Sequence, residues 1–282
     1  MDTPLRGCYK GTMKQLILTQ FFLGLFMTTA SAQSERQISF RSSLDGTELH
    51  GTLTVPKEQK GAVLMVVGSG KADRDETVPG KLTFTGKTEK LFSQLSEAVT
   101  DGGYATLRYD KRGVLDANGK VDLAVWKTAD REHLISDAID AAKFLSRELK
   151  TPVEQLVILG HSEGTIVAVE CTLALGGKVK SLLLFGAQAR PMRDMLHFQI
   201  VDANLSPKST KQEREALEKE FDGALNFIAN SKADFAPDGK PINWYRQFLA
   251  APANKDRAPR VNAKFAFFQG EADVQTPRGE VD

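Results

Sequence analysis

The stretch Leu156-Val157-Ile158-Leu159-Gly160-His161-Ser162-Glu163-Gly164 decides the fold of this 282-residue chain. Its four leading apolar residues read as a buried strand, and the run of Ile, Val, Ala and Leu over 165–175 reads as a packed helix. Between them a Gly-x-Ser-x-Gly turn must reverse the chain within a few residues. A turn that tight holds Ser162 in a strained backbone conformation, and Gly160 and Gly164 let neighbouring segments approach closely. Strand, turn and helix in this order present a serine hydroxyl as a nucleophile. A glycine-flanked turn serine without that role would explain neither the strand nor the helix.

Upstream, 37–41 and 48–55 flank Asp45-Gly46-Thr47, a hairpin signal with alternation in its second arm. The continuous apolar run 62–67 has the pattern of a strand buried on both faces. It ends in Gly68-Ser69-Gly70-Lys71, and the charged loop Asp73-Arg74-Asp75-Glu76 follows. A helix over 91–99 is stopped by Asp101-Gly102-Gly103. A strand over 104–109 runs into Asp110-Lys111-Arg112-Gly113, and 131–149 carries a helical apolar stripe of Leu134, Ile135, Ala138, Ile139, Ala142 and Leu145. Downstream of the turn, 179–185 and 264–268 read as strands, the last ending in Gln269-Gly270-Glu271-Ala272-Asp273.

Strands alternating with helices imply an α/β architecture, a mostly parallel sheet covered on both faces. Its sites belong at the carboxyl ends of the strands, so residues after Val67, Tyr109, Leu159, Phe185 and Phe268 gather along one edge. The segment 190–260 breaks the pattern: it is polar, helical in period and free of strand runs, which makes it a helical insertion. The core is then 33–189 and 261–282, one domain with a lid-like insert rather than two domains.

Charge is nearly balanced, 37 Lys+Arg against 36 Asp+Glu, so nothing points to nucleic acid or an anionic membrane surface. The first 32 residues read as a signal peptide. Met13-Lys14 opens a short charged region, 16–27 is apolar, and Ala30-Ser31-Ala32 matches a small-x-small cleavage site before Gln33. Residues 1–12 read as an upstream extension. The apolar run is too short for a stable membrane anchor, so the mature protein is expected to be periplasmic or secreted. Cys8 falls in the leader, and Cys171 alone cannot form an intramolecular disulfide.

These motifs resemble the α/β-hydrolase family, over nearly the whole mature chain. More narrowly, the chain is similar to secreted bacterial serine hydrolases of the esterase and serine-aminopeptidase-like type. That branch carries an opening like Asp45-Gly46-Thr47-Glu48-Leu49-His50-Gly51, a Gly-Ser-Gly loop with an Asp-Arg-Asp-Glu run, and the Arg-Tyr-Asp-x-Arg-Gly segment found here from Arg108 to Gly113. The resemblance implies Ser162 as nucleophile and an oxyanion hole from the amide of Glu163 with that of Lys71, Gly70 being next in line. It implies Asp273 as the acid that orients an imidazole, with Glu271 as competitor. No metal and no organic cofactor are implied.

The family's histidine follows the acid, and none follows Asp273 in this sequence. His50, on an early strand, and His133, near a helix start, read as structural. His161 is expected to point away from the serine, while His197 opens the insertion and would act only by breaking the family's order. The economical expectation is truncation, with the last strand and helix of the fold missing. Asp73, Asp75 and Glu76 read as surface salt bridges and loop anchors, and Asp110 and Arg112 as holding a strand-end loop. Trp244 and Tyr245, with Phe248, fall at helical spacing and are candidates for a substrate pocket or for packing of the insertion. The sequence thus points to a small ester substrate, with a peptide or amide as alternative and acyl-ligand binding without turnover as a third reading.

Overall fold

The computed structural model describes residues 33–83, 85–271, 273 and 275–280; the leader expected over 1–32 lies outside them. In chain order the strands are β1 (Ser34–Arg41), β2 (Glu48–Val55), β3 (Gly61–Val66), a short ribbon β4 (Thr77–Val78) and β5 (Glu89–Lys90), β6 (Tyr104–Tyr109), β7 (Val157–His161), β8 (Lys178–Phe185) and β9 (Asn262–Phe268). The α-helices are α1 (Leu91–Asp101), α2 (Leu123–Trp126), α3 (Arg131–Leu149), α4 (Glu163–Ala174), α5 (Met192–Ile200), α6 (Lys211–Asn230), α7 (Ile242–Ala250) and α8 (Asn254–Arg257).

Seven strands form one sheet in the order β1-β2-β6-β3-β7-β8-β9. The first two join antiparallel, and every pair from β6 to β9 is parallel. Period-two alternation decides what each strand offers to either face. Val63, Met65, Val157 and Leu159 pack against Phe92 of α1. Leu64, Val66, Leu107, Ile158, Leu182 and Leu184 enter the larger core with Ala138, Ala141 and Leu145 of α3 and Ile166 to Val169 of α4. A sheet buried on both faces needs such apolar runs, and this accounts for the unbroken run at 62–67.

Helix α4 is buried from Glu163 through Thr172, with no polar face. Glu170 is therefore enclosed, and it is paired with Arg131 of α3 and Arg257 of α8. Cys171 lies on the same helix, where burial pushes its thiol up to about 12. Between 190 and 260 the described residues form helices α5 to α8 and a single isolated bridge, Phe235 to Pro241. Thr210 caps α6 through a reciprocal pair of bonds with Glu213.

A second buried charge pair also involves α3. Arg112, fully buried, donates to both oxygens of Asp137 at 2.8 and 2.7 Å, and also to Asp45, Thr128 and Ser42. It joins the loop after β6 to α3 and to the β1–β2 turn, a wider role than holding one strand end. Replacing Arg112 by Met leaves Asp137 buried without its cation, a change that costs about 3–5 kcal/mol. The urea midpoint should fall accordingly with little change in slope; a loss below about 1 kcal/mol would contradict a buried pair of this kind.

Candidate active site

Four carboxyl ends of adjacent strands, β3, β7, β8 and β9, build the site. After His161 the chain enters α4 through Ser162 at φ 51°, ψ −118°, one of three non-glycine residues with positive φ among those described. The two flanking glycines explain how this is possible. A Cβ on Gly160 would lie 2.3 Å from the Gly164 carbonyl oxygen, and one on Gly164 would lie 2.2 Å from that of Val66. Only bare backbone fits. Ser162 is held by its own main chain: its amide donates to Phe185 O at 2.8 Å, and its carbonyl accepts from Thr165 N and Oγ1 at 2.9 and 2.6 Å. Among the described residues nothing hydrogen-bonds its hydroxyl, which is left available at the N-terminus of α4.

Glu163 opens α4, so its amide has no partner within the helix. On the facing loop, none of the described residues accepts from the amides of Ser69, Gly70 or Lys71. Gly70 has φ 81°, and the Lys71 side chain runs outward beside Gly119 and Gly239. The two candidate donor segments are adjacent because Gly164 sits directly on the Val66 and Val67 carbonyls. The positive end of the α4 dipole adds to the same place.

The side chain of Glu163 is buried and fully committed. Lys111 Nζ donates to its Oε1 at 2.7 Å and also to Gly68 O, while the Trp244 indole N–H donates to Oε2. Trp244 is thereby spent on the elbow, packed against Tyr245 and Phe248. Tyr245 lies at the wall of an apolar cavity of about 260 Å³ shared with Leu196, Phe221 and Ile228, its hydroxyl donating to Asp238 at 2.6 Å.

Asp273 follows β9 and lies at the same edge of the sheet. Its Oδ1 accepts from the amides of Gln275 and Thr276 at 2.8 and 2.9 Å, and its Oδ2 from Thr276 Oγ1 at 2.6 Å and Gln269 Nε2 at 3.4 Å. Burial opposes its ionisation, but the Thr276 and Gln275 bonds and the nearby His161 outweigh it and hold the carboxyl below its usual range. Asp273 and His161 line a cavity of about 460 Å³ with Glu76, Phe92, Phe185, Gly186 and Phe268. Gly186, at the floor, is where Asp273 and His161 converge: a Cβ there would lie 3.7 Å from Oδ2 and 3.8 Å from the imidazole Cδ2. Glu271 is exposed and, among the described residues, reaches toward Arg278 at 4.0 Å.

The four histidines are distributed as follows. His50 is exposed on β2. His133 bonds Asp130 at 2.7 Å, at the N-cap of α3. His197 bridges Asp202 and Glu218 at 3.2 and 3.0 Å, clasping α5 to α6. His161 donates from Nδ1 to Glu76 at 2.6 Å. Among the described residues, none is hydrogen-bonded to Ser162 or to Asp273.

Glu76 departs from the sequence reading. Its neighbours Arg74 and Asp75 pair with Asp110 and Arg108, and because Arg108 is buried these are partly enclosed pairs rather than the surface bridges expected. Glu76 itself has φ 50° and turns inward, where one oxygen takes both the Gly68 amide, at 2.7 Å, and His161. A left-handed residue inside a charge run leaves no local pattern. The only sequence signal was its place soon after the Gly-Ser-Gly loop that it caps.

Comparisons with known proteins agree with this architecture. The chain is similar to a protein from Legionella pneumophila described as a hydrolase, at TM-score 0.52 and 18% identity over 88% of this chain and 77% of that one. It is similar to a lipase in its open form at 0.51 and 14%, over 88% and 94%, and to a thermostable carboxyl esterase from Bacillus coagulans at 0.50 and 11%, over 84% and 90%. No family model and no curated protein sequence matches the chain. At these identities the likeness is one of fold: this chain has the α/β-hydrolase fold.

Burial disfavours a charged His161, but the bond and charge of Glu76, with Asp273 behind, more than compensate and raise its pKa. Its contribution to stability is therefore complete below the unfolded value of about 6.5 and is lost as pH rises through the higher folded value. NMR titration should place His161 above that reference and show it falling in Glu76→Gln. A midpoint at or below the reference in the unsubstituted protein would contradict the pair.

Proposed function

We propose that this α/β-hydrolase-fold protein is a serine hydrolase that cleaves a small carboxylic ester through an acyl-enzyme. The observation that carries the reading is Ser162 itself, at positive φ on a strand-to-helix turn with a hydroxyl that has no partner among the described residues. Ser162 attacks the acyl carbonyl, and the oxyanion is met by the Glu163 amide and that of Lys71, or of Gly70 beside it. An oxyanion donor of this kind is worth about 2.7–4 kcal/mol in the barrier. Asp273, ionised and held by Thr276 and Gln275, orients an imidazole in the cavity of about 460 Å³. That imidazole is none of His50, His133, His161 and His197 in their described positions. Export through the leader at 13–32 belongs to the same proposal.

The placement of the histidines also favours a second reading, in which the site binds an acyl ligand without turning it over. Chemical rescue separates the two. In p-nitrophenyl ester assays the chain should show slow turnover that rises with added imidazole, because the cavity beside Asp273 admits the free ring. The rise, taken over the rate with imidazole and no protein, should vanish in Ser162→Ala and shrink in Asp273→Asn. Turnover that is insensitive to imidazole and survives Ser162→Ala would sink the hydrolase reading.

A further inference from the structure

Lys111 occupies a position that the hydrolase reading does not use. It sits in the x position of Arg-Tyr-Asp-x-Arg-Gly and is only 4% exposed. Its ammonium makes two contacts, and they belong to the two segments assigned to oxyanion binding. One is the carbonyl of Gly68, which begins the Gly68-Ser69-Gly70-Lys71 loop; the other is Oε1 of Glu163, which begins α4. The loop is otherwise lightly tied. Among the described residues its other side-chain anchor is Glu76 on the Gly68 amide, so the carbonyl and amide of one residue are gripped from both sides, by Lys111 and by Glu76. Beyond Gly68 the amides of Ser69, Gly70 and Lys71 have no acceptors among the described residues.

We propose that Lys111 is a positioning residue for the oxyanion site, clamping the Gly68–Lys71 loop to the elbow so that amides from both segments meet one oxygen. The inference rests on the serine hydrolase reading and deepens it. Glu163 serves here through its side chain as well as its amide. Both its oxygens accept hydrogen bonds, from Lys111 and Trp244, and the residue is buried, which commits its side chain to the clamp. Trp244 brings the insertion into the same clamp, because α7 is fixed to the residue that follows the nucleophile. Preorganised donors act only when they are aimed at the position the oxyanion will occupy, and a displacement near 1 Å is enough to cost about 10²-fold in rate.

The test is imidazole-supported p-nitrophenyl ester hydrolysis by the full chain, with kcat and KM separated and urea midpoints measured in parallel. Lys111→Met should lower kcat by about 10²-fold with KM little changed. That variant leaves Glu163 buried and unpaired, so lost stability alone would mimic the result. The double variant Lys111→Met, Glu163→Gln removes both charges, keeps an acceptor for Trp244, and should recover most of the unfolding midpoint. Recovered stability with kcat still depressed supports the clamp. Recovery of kcat together with stability overturns it and leaves the hydrolase reading intact. Absence of Ser162-dependent turnover in the unsubstituted chain overturns the parent reading, and the clamp with it.

Discussion

Everything at this site depends on a contact between bare backbones. Helix α4 begins so close to the end of β3 that Gly164 rests on the Val66 carbonyl, and the turn is so tight that Gly160 faces the Gly164 carbonyl with no room for a side chain. With both ends pinned, Ser162 has nowhere to go but positive φ. Conformations of this sort cost on the order of 1–3 kcal/mol. The cost is offset by α4, which buries every residue from Glu163 to Thr172 against the sheet, α3 and the segments after β8. Fold stability thus holds a serine in a position its own backbone preference would reject.

Burying a helix start beside strand ends brings carboxylates inside, and each is answered by hydrogen-bond partners. Glu76 is met by Gly68 and His161, Glu163 by Lys111 and Trp244, and Glu170 by Arg131 and Arg257. An unpaired buried carboxylate would cost several kcal/mol, so these partners are requirements of the fold. They also fix the architecture around the elbow. Trp244 and Arg257 belong to the helical segment between β8 and β9, so that segment is attached to α4 at two charged points as well as by apolar packing. The loop that carries Gly70 and Lys71 is attached to the same helix through Lys111.

Much of this was legible in the sequence because it depends on local pattern. The apolar run at 62–67, the strand at 104–109, the helix at 131–149 and the Gly-x-Ser-x-Gly turn each declare themselves by period or by glycine spacing; the α/β architecture follows from their order, and the resemblance of the motifs implies the α/β-hydrolase fold. Asp273 was found because it follows a strand and comes after the serine, the chain order that the resemblance implies. The inward turn of Glu76 was hidden, since one left-handed residue reverses a side chain without altering composition. Lys111 read as an unremarked lysine among charged neighbours, and Trp244 as one of three aromatics at helical spacing. Their significance lies in partners 52 and 81 residues away along the chain, which no local pattern encodes.

The central claim is that Ser162 is a nucleophile, and the most direct measurement is where a fluorophosphonate becomes attached. The folded chain, treated with the probe in the presence of imidazole and digested, should yield one modified peptide, with phosphorus on Ser162. Adduct formation at another serine, or none at all on a protein shown to be folded, would contradict the account.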